Sequence, residues 1–336
     1  MKHQLRIALL LIVLFVLAQL AGLAVTASYK KHFETEKIST EIKEAKELEK
    51  NVSEERNVSV IKEVIPEKIE IKRSVDIISL IASFFVALIM ATVIFILLMK
   101  IGVVRFMRFW FFLVVFIGLF ISFSLLLIDF IIAKVKIGSL YFSVAEIVAF
   151  FLAILLAFYK IYRNEVLVHN LTEIFIYPGI VTLFLPIVNL PIVIGLLLII
   201  SIYDFVAVFR TKHMQKMAKF MLKDVKVFSG LMLPYISKKE KERLERIRLK
   251  RKRKARELKI KVNLAVLGGG DIAFPMLLSA EALLSYGLLS SAFVIAFSTL
   301  ALFFLLALGE KGKAYPAMPP LSVGGLIGFS LSLLFI

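Results

Sequence analysis

The sequence predicts an all-α, polytopic membrane protein of nine transmembrane helices. Three observations predict it. Of its 336 residues 60% are apolar, with a mean hydropathy of +0.90. Nine stretches are apolar over roughly the 20 residues a helix needs to cross a bilayer. Nearly all of the net charge falls in a single connection, the pattern of an inside loop. Composition also narrows the chemistry. The chain has no Cys, which excludes disulfides, thiolate metal sites and a cysteine nucleophile. The four His, at 3, 32, 169 and 213, form no H-E-x-x-H pair. Neither a metal nor a cofactor is expected.

The first apolar run covers 5–27, behind Lys2 and Arg6. A secretory signal begins in the same way, but its apolar core is only about 7–15 residues long, so this run reads as a retained anchor. An outer charged loop, 28–73, precedes spans near 75–99, 107–133 and 139–161. Residues 171–209 then form one apolar run. Pro186, Asn189 and Pro191 divide it into spans at 171–188 and 190–209, because proline removes a helix donor and Asn favours a turn. The last three spans are expected at 263–286, 288–308 and 317–336. The chain thus reads as an N-terminal six-helix bundle (1–209), a basic loop (210–261) and a C-terminal three-helix part (262–336).

The loop 210–261 holds 20 Lys and Arg against five Asp and Glu, a surplus of +15 out of the chain's +17. Such an excess marks a cytoplasmic loop. Counting spans from it puts the N-terminus in the cytoplasm and the C-terminus outside, in a multi-pass protein of the cell membrane. The segment 29–73 balances 11 basic against 11 acidic residues and falls outside, where its mixed Glu and Lys read as a solvated helix or a mobile segment. Asn51 and Asn57 there begin N-x-S sequons. Between Lys238 and Lys261 there are no aromatic residues for base stacking, so the run Lys250 to Lys254 reads as a seat for anionic lipid and no nucleic-acid partner is expected. Before it, Met214, Met217, Ala218, Met221 and Leu222 recur at helical spacing with lysines between them, the pattern of an amphipathic helix on the membrane surface.

A carboxylate inside hydrocarbon is expensive, so each one asks for a reason. Asp76, Glu165 and Glu173 are expected at span ends, Asp129 near Lys134, and Glu146 just inside the fourth span. Glu281 is expected nearer the outer face. Asp204 and Asp271 differ from these. Asp204 lies six residues before Arg210 and Asp271 ten after Lys261, so in antiparallel helices both fall at depths of roughly 9 and 15 Å from one face. Two carboxyls that meet there share a proton and titrate as a unit. One can then take a proton from water while the other protonates a carbonyl, the apparatus of an aspartic protease. Gly268, Gly269 and Gly270 immediately precede Asp271 and permit the close backbone approach and broken helix that hydrolysis in a membrane requires. The last span opens with Tyr315-Pro316-Ala317-Met318-Pro319-Pro320, whose prolines interrupt regular helix on the same side.

At these residues the chain resembles the presenilin and signal peptide peptidase family of intramembrane aspartic proteases, most closely its archaeal branch. The likeness lies in Tyr203-Asp204, in Gly268-Gly269-Gly270-Asp271 as the family's G-x-G-D, and in Pro316-Ala317-Met318 as its P-A-L, with Met for Leu. It implies a presenilin-like fold with Asp204 and Asp271 as the catalytic pair. Tyr203 and the three glycines would shape the pocket, and Pro316, Ala317, Met318 and Pro319 the substrate cleft. It further implies transmembrane peptide substrates and no obligatory partner subunit, and it leaves oligomerisation open. From another class, an ion-coupled secondary transporter also places carboxylates beside broken helices. Transporters usually show two matching halves, and no second broken segment mirrors the Gly-rich one here.

Overall fold

The computed structural model describes residues 2–54, 77–101, 104–131, 133–137, 140–163, 165–211, 217, 220–221, 225, 227–236, 262–309 and 315–336. Among these residues it has nine α-helices: α1 (Lys2–Glu54), α2 (Ile77–Ile101), α3 (Val104–Ile128), α4 (Val144–Arg163), α5 (Val166–Phe184), α6 (Leu190–Val206), α7 (Gly269–Tyr286), α8 (Leu288–Leu308) and α9 (Met318–Ser332). Four short strands complete the description: β1 (Lys134–Ile137), β2 (Leu140–Ser143), β3 (Gly230–Ile236) and β4 (Val262–Gly268). Six helical segments are long and apolar enough to cross a membrane, namely Arg6–Phe33, α3, α4, α5, Leu190–Arg210 and α8. Six of the nine expected spans therefore meet that test among the described residues. Ile89–Leu98 of α2 and Met318–Ser332 are shorter apolar helices, and α7 opens on glycines and carries Asp271 and Glu281.

The helices bury two apolar clusters. One joins Leu11, Phe15 and Ala18 of α1 to Tyr177 and Val181 of α5, Leu196 and Leu197 of α6, and Ile272, Met276 and Leu278 of α7. The other joins Val115 and Leu119 of α3 to Ala149, Ala153 and Ala157 of α4. Alanine at every fourth position of α4 gives that helix a smooth stripe against which the aromatic side chains of α3 lie. α5 borders both clusters.

Several boundaries depart from the sequence reading. The outer segment 28–73, read as a solvated helix or a mobile segment, is helical as far as Glu54, where it continues α1 without a break. Asn51 falls inside that helix, and Asn57 and Asp76 lie outside the described residues. The division of residues 171–209 stands: α5 ends at Phe184, and Asn189 caps α6 by accepting the Ile192 N–H at 3.2 Å. The hairpin of β1 and β2, paired from Lys134↔Ser143 to Ile137↔Leu140, separates α3 from α4 where span ends were expected.

The largest correction concerns the seventh span. Residues 262–268 are not helix but strand β4, antiparallel to β3 from Gly230↔Gly268 to Ile236↔Val262. β3 itself lies within the segment read as basic loop. Most of the amphipathic stretch 214–222 and the basic run 250–254 lie outside the described residues.

Candidate active site

Asp204 occupies the last turn of α6, just ahead of a five-residue π-helical turn, Ala207–Thr211. It is buried at 5% exposure in spite of its charge. A buried carboxylate needs donors, and one comes from the start of α9. The Met318 N–H donates to Asp204 Oδ2 at 3.1 Å. Met318 and the prolines after it form the first helical turn, where backbone N–H groups have no partner within the helix.

Asp271 lies in the first turn of α7, where the Gly268 N–H donates to its Oδ2 at 3.2 Å. It therefore closes the N-terminus of its own helix. The depth expected for it, ten helical residues from Lys261, does not apply, since β4 covers most of that distance in extended form. α6, α7 and α9 pack on one another. Three segments distant in sequence thus meet, and the meeting matches the family motifs in order.

A family model described as "Signal-peptide peptidase, presenilin aspartyl protease" matches residues 68–336. The chain belongs to that family. It is an intramembrane aspartic endopeptidase, a hydrolase, and a multi-pass protein of the cell membrane. No sequence among curated proteins matches it. Among solved structures it is similar to "a presenilin family intramembrane aspartate protease in C222 space group", with 16% identity, a TM-score of 0.58, and coverage of 98% of this chain and 99% of that one. A second structure, of "a presenilin family intramembrane aspartate protease in P2 space group", gives 20% identity, a TM-score of 0.49, and coverage of 76% and 84%. The first of these shows a presenilin-like fold.

The remaining motif residues of this presenilin-family chain divide by location. Gly269 is closely hemmed in: a Cβ there would stand 2.6 Å from Tyr177 Oη and 2.8 Å from Ser229 Oγ. One at Gly268 would press on Asp271 Oδ2 at 3.1 Å, whereas Gly270 meets only the Phe274 ring at ordinary distance. Pro316, Ala317 and Met318 are buried and Pro319 is partly so. Tyr203 places its hydroxyl 3.0 Å from Thr92 Oγ1 of α2. Among the described residues no group of three or more His, Asp or Glu stands together to hold a metal ion.

Two acids have partners other than those expected. Glu173, expected at a span end, is 1% exposed inside α5 and forms an ion pair with Lys160 of α4. Asp129, expected near Lys134, instead accepts from Lys31 Nζ at 2.6 Å and from Ser28 Oγ at 3.0 Å, both on α1.

Sequence reasoning missed the polar edge of α5. His169 Nε2 donates to the Gly230 carbonyl at 2.8 Å, and Asn170 exchanges two bonds with Met232, Nδ2 to its carbonyl at 2.8 Å and Oδ1 from its N–H at 3.0 Å. In an antiparallel ladder both backbone groups of a residue point to the same side, so Gly230, Met232 and Pro234 face α5 and the residues between them face β4. Pro234, which has no N–H to offer, falls on that covered edge where no ladder bond is lost. Gly230 adopts φ +132°, a backbone conformation that L side chains rarely adopt. Among the described residues β4 has one strand partner, β3, and an edge that no other strand covers; Leu264 and Val266 on it are each 42% exposed just before the glycines.

Proposed function

We propose that Asp204 and Asp271 form the catalytic dyad of this protease and that it hydrolyses peptide bonds within single-span membrane proteins or remnant signal peptides. The observation that carries this reading is the Met318 amide turned onto Asp204, on a helix end that packs with the helix whose first turn holds Asp271. Amide donors hold a carboxylate in place inside hydrocarbon, so each acid stays aimed at the space between α6 and α7.

In that space one carboxyl is anionic and the other protonated. The anion takes a proton from water as the water oxygen bonds to the scissile carbonyl carbon, and the acid gives its proton to the carbonyl oxygen. A tetrahedral diol results. Its collapse breaks the C–N bond: the protonated carboxyl gives its proton to the leaving nitrogen while the anionic one takes a proton from a diol hydroxyl, and a carboxylic acid and an amine leave. The charge pattern of the pair is then restored, and no metal or cofactor enters.

A transmembrane helix must unwind before its peptide bond can be attacked. The edge of β4 that no strand covers among the described residues supports a place for the unwound strand, since its outward N–H and C=O groups can pair with an extended chain ending beside Asp271. Pro316, Ala317 and Pro319 would wall the other side of this cleft, with the three glycines leaving room for the substrate backbone. The basic residues between 210 and 261 fit a cytoplasmic surface resting on anionic lipid, which puts the N-terminus inside and favours substrates whose own N-terminus lies outside. No partner subunit is required by this scheme. Ion-coupled transport has no support from the family or the structural neighbours.

The test is cleavage of a single-span peptide by the purified protein in detergent, with products read by mass spectrometry. Asp204→Asn and Asp271→Asn should each abolish products while thermal unfolding stays cooperative. Products at the wild-type rate from either variant would refute the dyad.

A further inference from the structure

We infer that Asn170 and Tyr177, on one edge of α5, are positioning residues for Asp271, an inference that rests on the catalytic role proposed for that carboxyl. His169, Asn170, Glu173 and Tyr177 stand at helical offsets of 0, 1, 4 and 8 and so share one stripe of α5. That stripe faces the β3–β4 ribbon. An apolar residue at position 170 would serve helix packing in a membrane equally well, and a buried amide there is costly unless paired. Asn170 is 5% exposed and pairs with both backbone groups of Met232, as a neighbouring strand would. His169 adds a third bond to the same edge at Gly230.

The ribbon is the lever that carries this grip to the site. Met232 lies across from Val266 and Gly230 from Gly268, and the Gly268 N–H bonds the Asp271 carboxyl. Fixing the outer edge of β3 therefore fixes the register in which β4 delivers Gly268 to Asp271. Tyr177 acts at the end of the lever. Its hydroxyl lies 3.4 Å from Ser229 Oγ, just before β3, and occupies the ground that a Cβ on Gly269, just after β4, would claim. It is thus a backstop for both ends of the ribbon's closing pair. The stripe is itself anchored: Glu173 between the two residues is ion-paired with Lys160 and lies 3.7 Å from His169 Nε2. These groups, with Ser229 and the backbone of Gly230 and Met232, are the polar partners that the structure gives the stripe.

The experiment uses the full chain in detergent micelles with a single-span peptide, comparing wild type with Tyr177→Phe and Asn170→Ala. Steady-state kinetics over a range of pH, thermal unfolding, and hydrogen exchange of the 262–271 amides are measured together. Displacing a reacting group by a fraction of an ångström costs on the order of tenfold or more in rate, so kcat should fall by about that factor, by more than KM changes, with the pH profile displaced. The unfolding midpoint should stay close to wild type. Exchange in β4 and at Gly268 to Asp271 should rise about tenfold in Asn170→Ala, as local opening becomes easier. Tyr177→Phe keeps the ring and serves if Asn170→Ala does not fold. A lowered midpoint with unchanged kcat and pH profile would reduce both residues to scaffold and overturn the inference. If the wild-type protein cleaves nothing, the proposed function fails. The exchange data then still judge the lever, and unchanged exchange at 262–271 would overturn it.

Discussion

The backbone N–H of Met318 donates to Oδ2 of Asp204 at 3.1 Å, joining residues 114 positions apart. The third family motif therefore meets the first through main-chain atoms, and its side chain at this position is free to differ from the family's Leu. Met318→Leu is a volume-conserving exchange in a site 3% exposed, so the cleavage rate should stay within about threefold and stability within about 1.5 kcal/mol. Met318→Ala keeps the amide but opens a cavity, and chemical denaturation should register a loss of about 2–4 kcal/mol.

Gly269 has no room for a Cβ beside Tyr177 and Ser229. Gly269→Ala should lower kcat by roughly a hundredfold, because its methyl group displaces the turn that carries Asp271. Removing the Ser229 oxygen it meets, in Gly269→Ala/Ser229→Ala, should return part of that activity. A double variant no better than the single one would place the damage elsewhere.

Lys160 and Glu173 are 4% and 1% exposed, so each is tolerated only because of the other. Lys160→Met or Glu173→Gln should each cost about 3–5 kcal/mol in reversible unfolding. The double variant Lys160→Met/Glu173→Leu, which leaves no orphaned charge, should be more stable than either single one.

Asp129 lies just past the end of α3. The hydrogen bond from Lys31, aided by that from Ser28, holds its carboxyl below the ordinary value of 3.8. A lowered folded-state pKa adds stability above the unfolded value and loses it as pH falls through the folded one. Asp129→Asn should therefore unfold slightly more easily than wild type near neutrality, and the gap should close as pH drops below 3.8. Lys31 is exposed, so the effect is small and weakens with salt.

Hydropathy made most of the helices legible, because each apolar run is set by the thickness of the bilayer and is interrupted by charge or proline. The α5–α6 break at Pro186, Asn189 and Pro191 could be read for that reason, as could α8, whose bounds at 288 and 308 agree with the expectation. The meeting of Asp204 with Met318 was expected from the order of the motifs, whereas the depth reckoned for Asp271 failed because β4 is extended. β4 was not legible: Val262 to Leu267 is a short apolar run that periodicity cannot tell from buried helix. The glycines signalled a break, but not that the chain before them is extended. Asn170, Glu173 and Tyr177 were missed because an isolated polar residue in a span has no local partner. Lys160 is 13 positions from Glu173, and Met232 is 62 from Asn170.

α1 bears on how the protein matures. Leu11, Phe15, Ala18 and Val25 are 3% exposed or less, and the Gln19 amide donates to the carbonyl of Ile272, the neighbour of Asp271, at 3.0 Å. This helix is thus a staple through the interior. Trimming the chain behind Ala24 would strip that staple from the seventh helix and leave the Ile272 carbonyl facing lipid. An expression tag belongs at the other terminus, and a proteolytic nick here would be a way to switch the enzyme off.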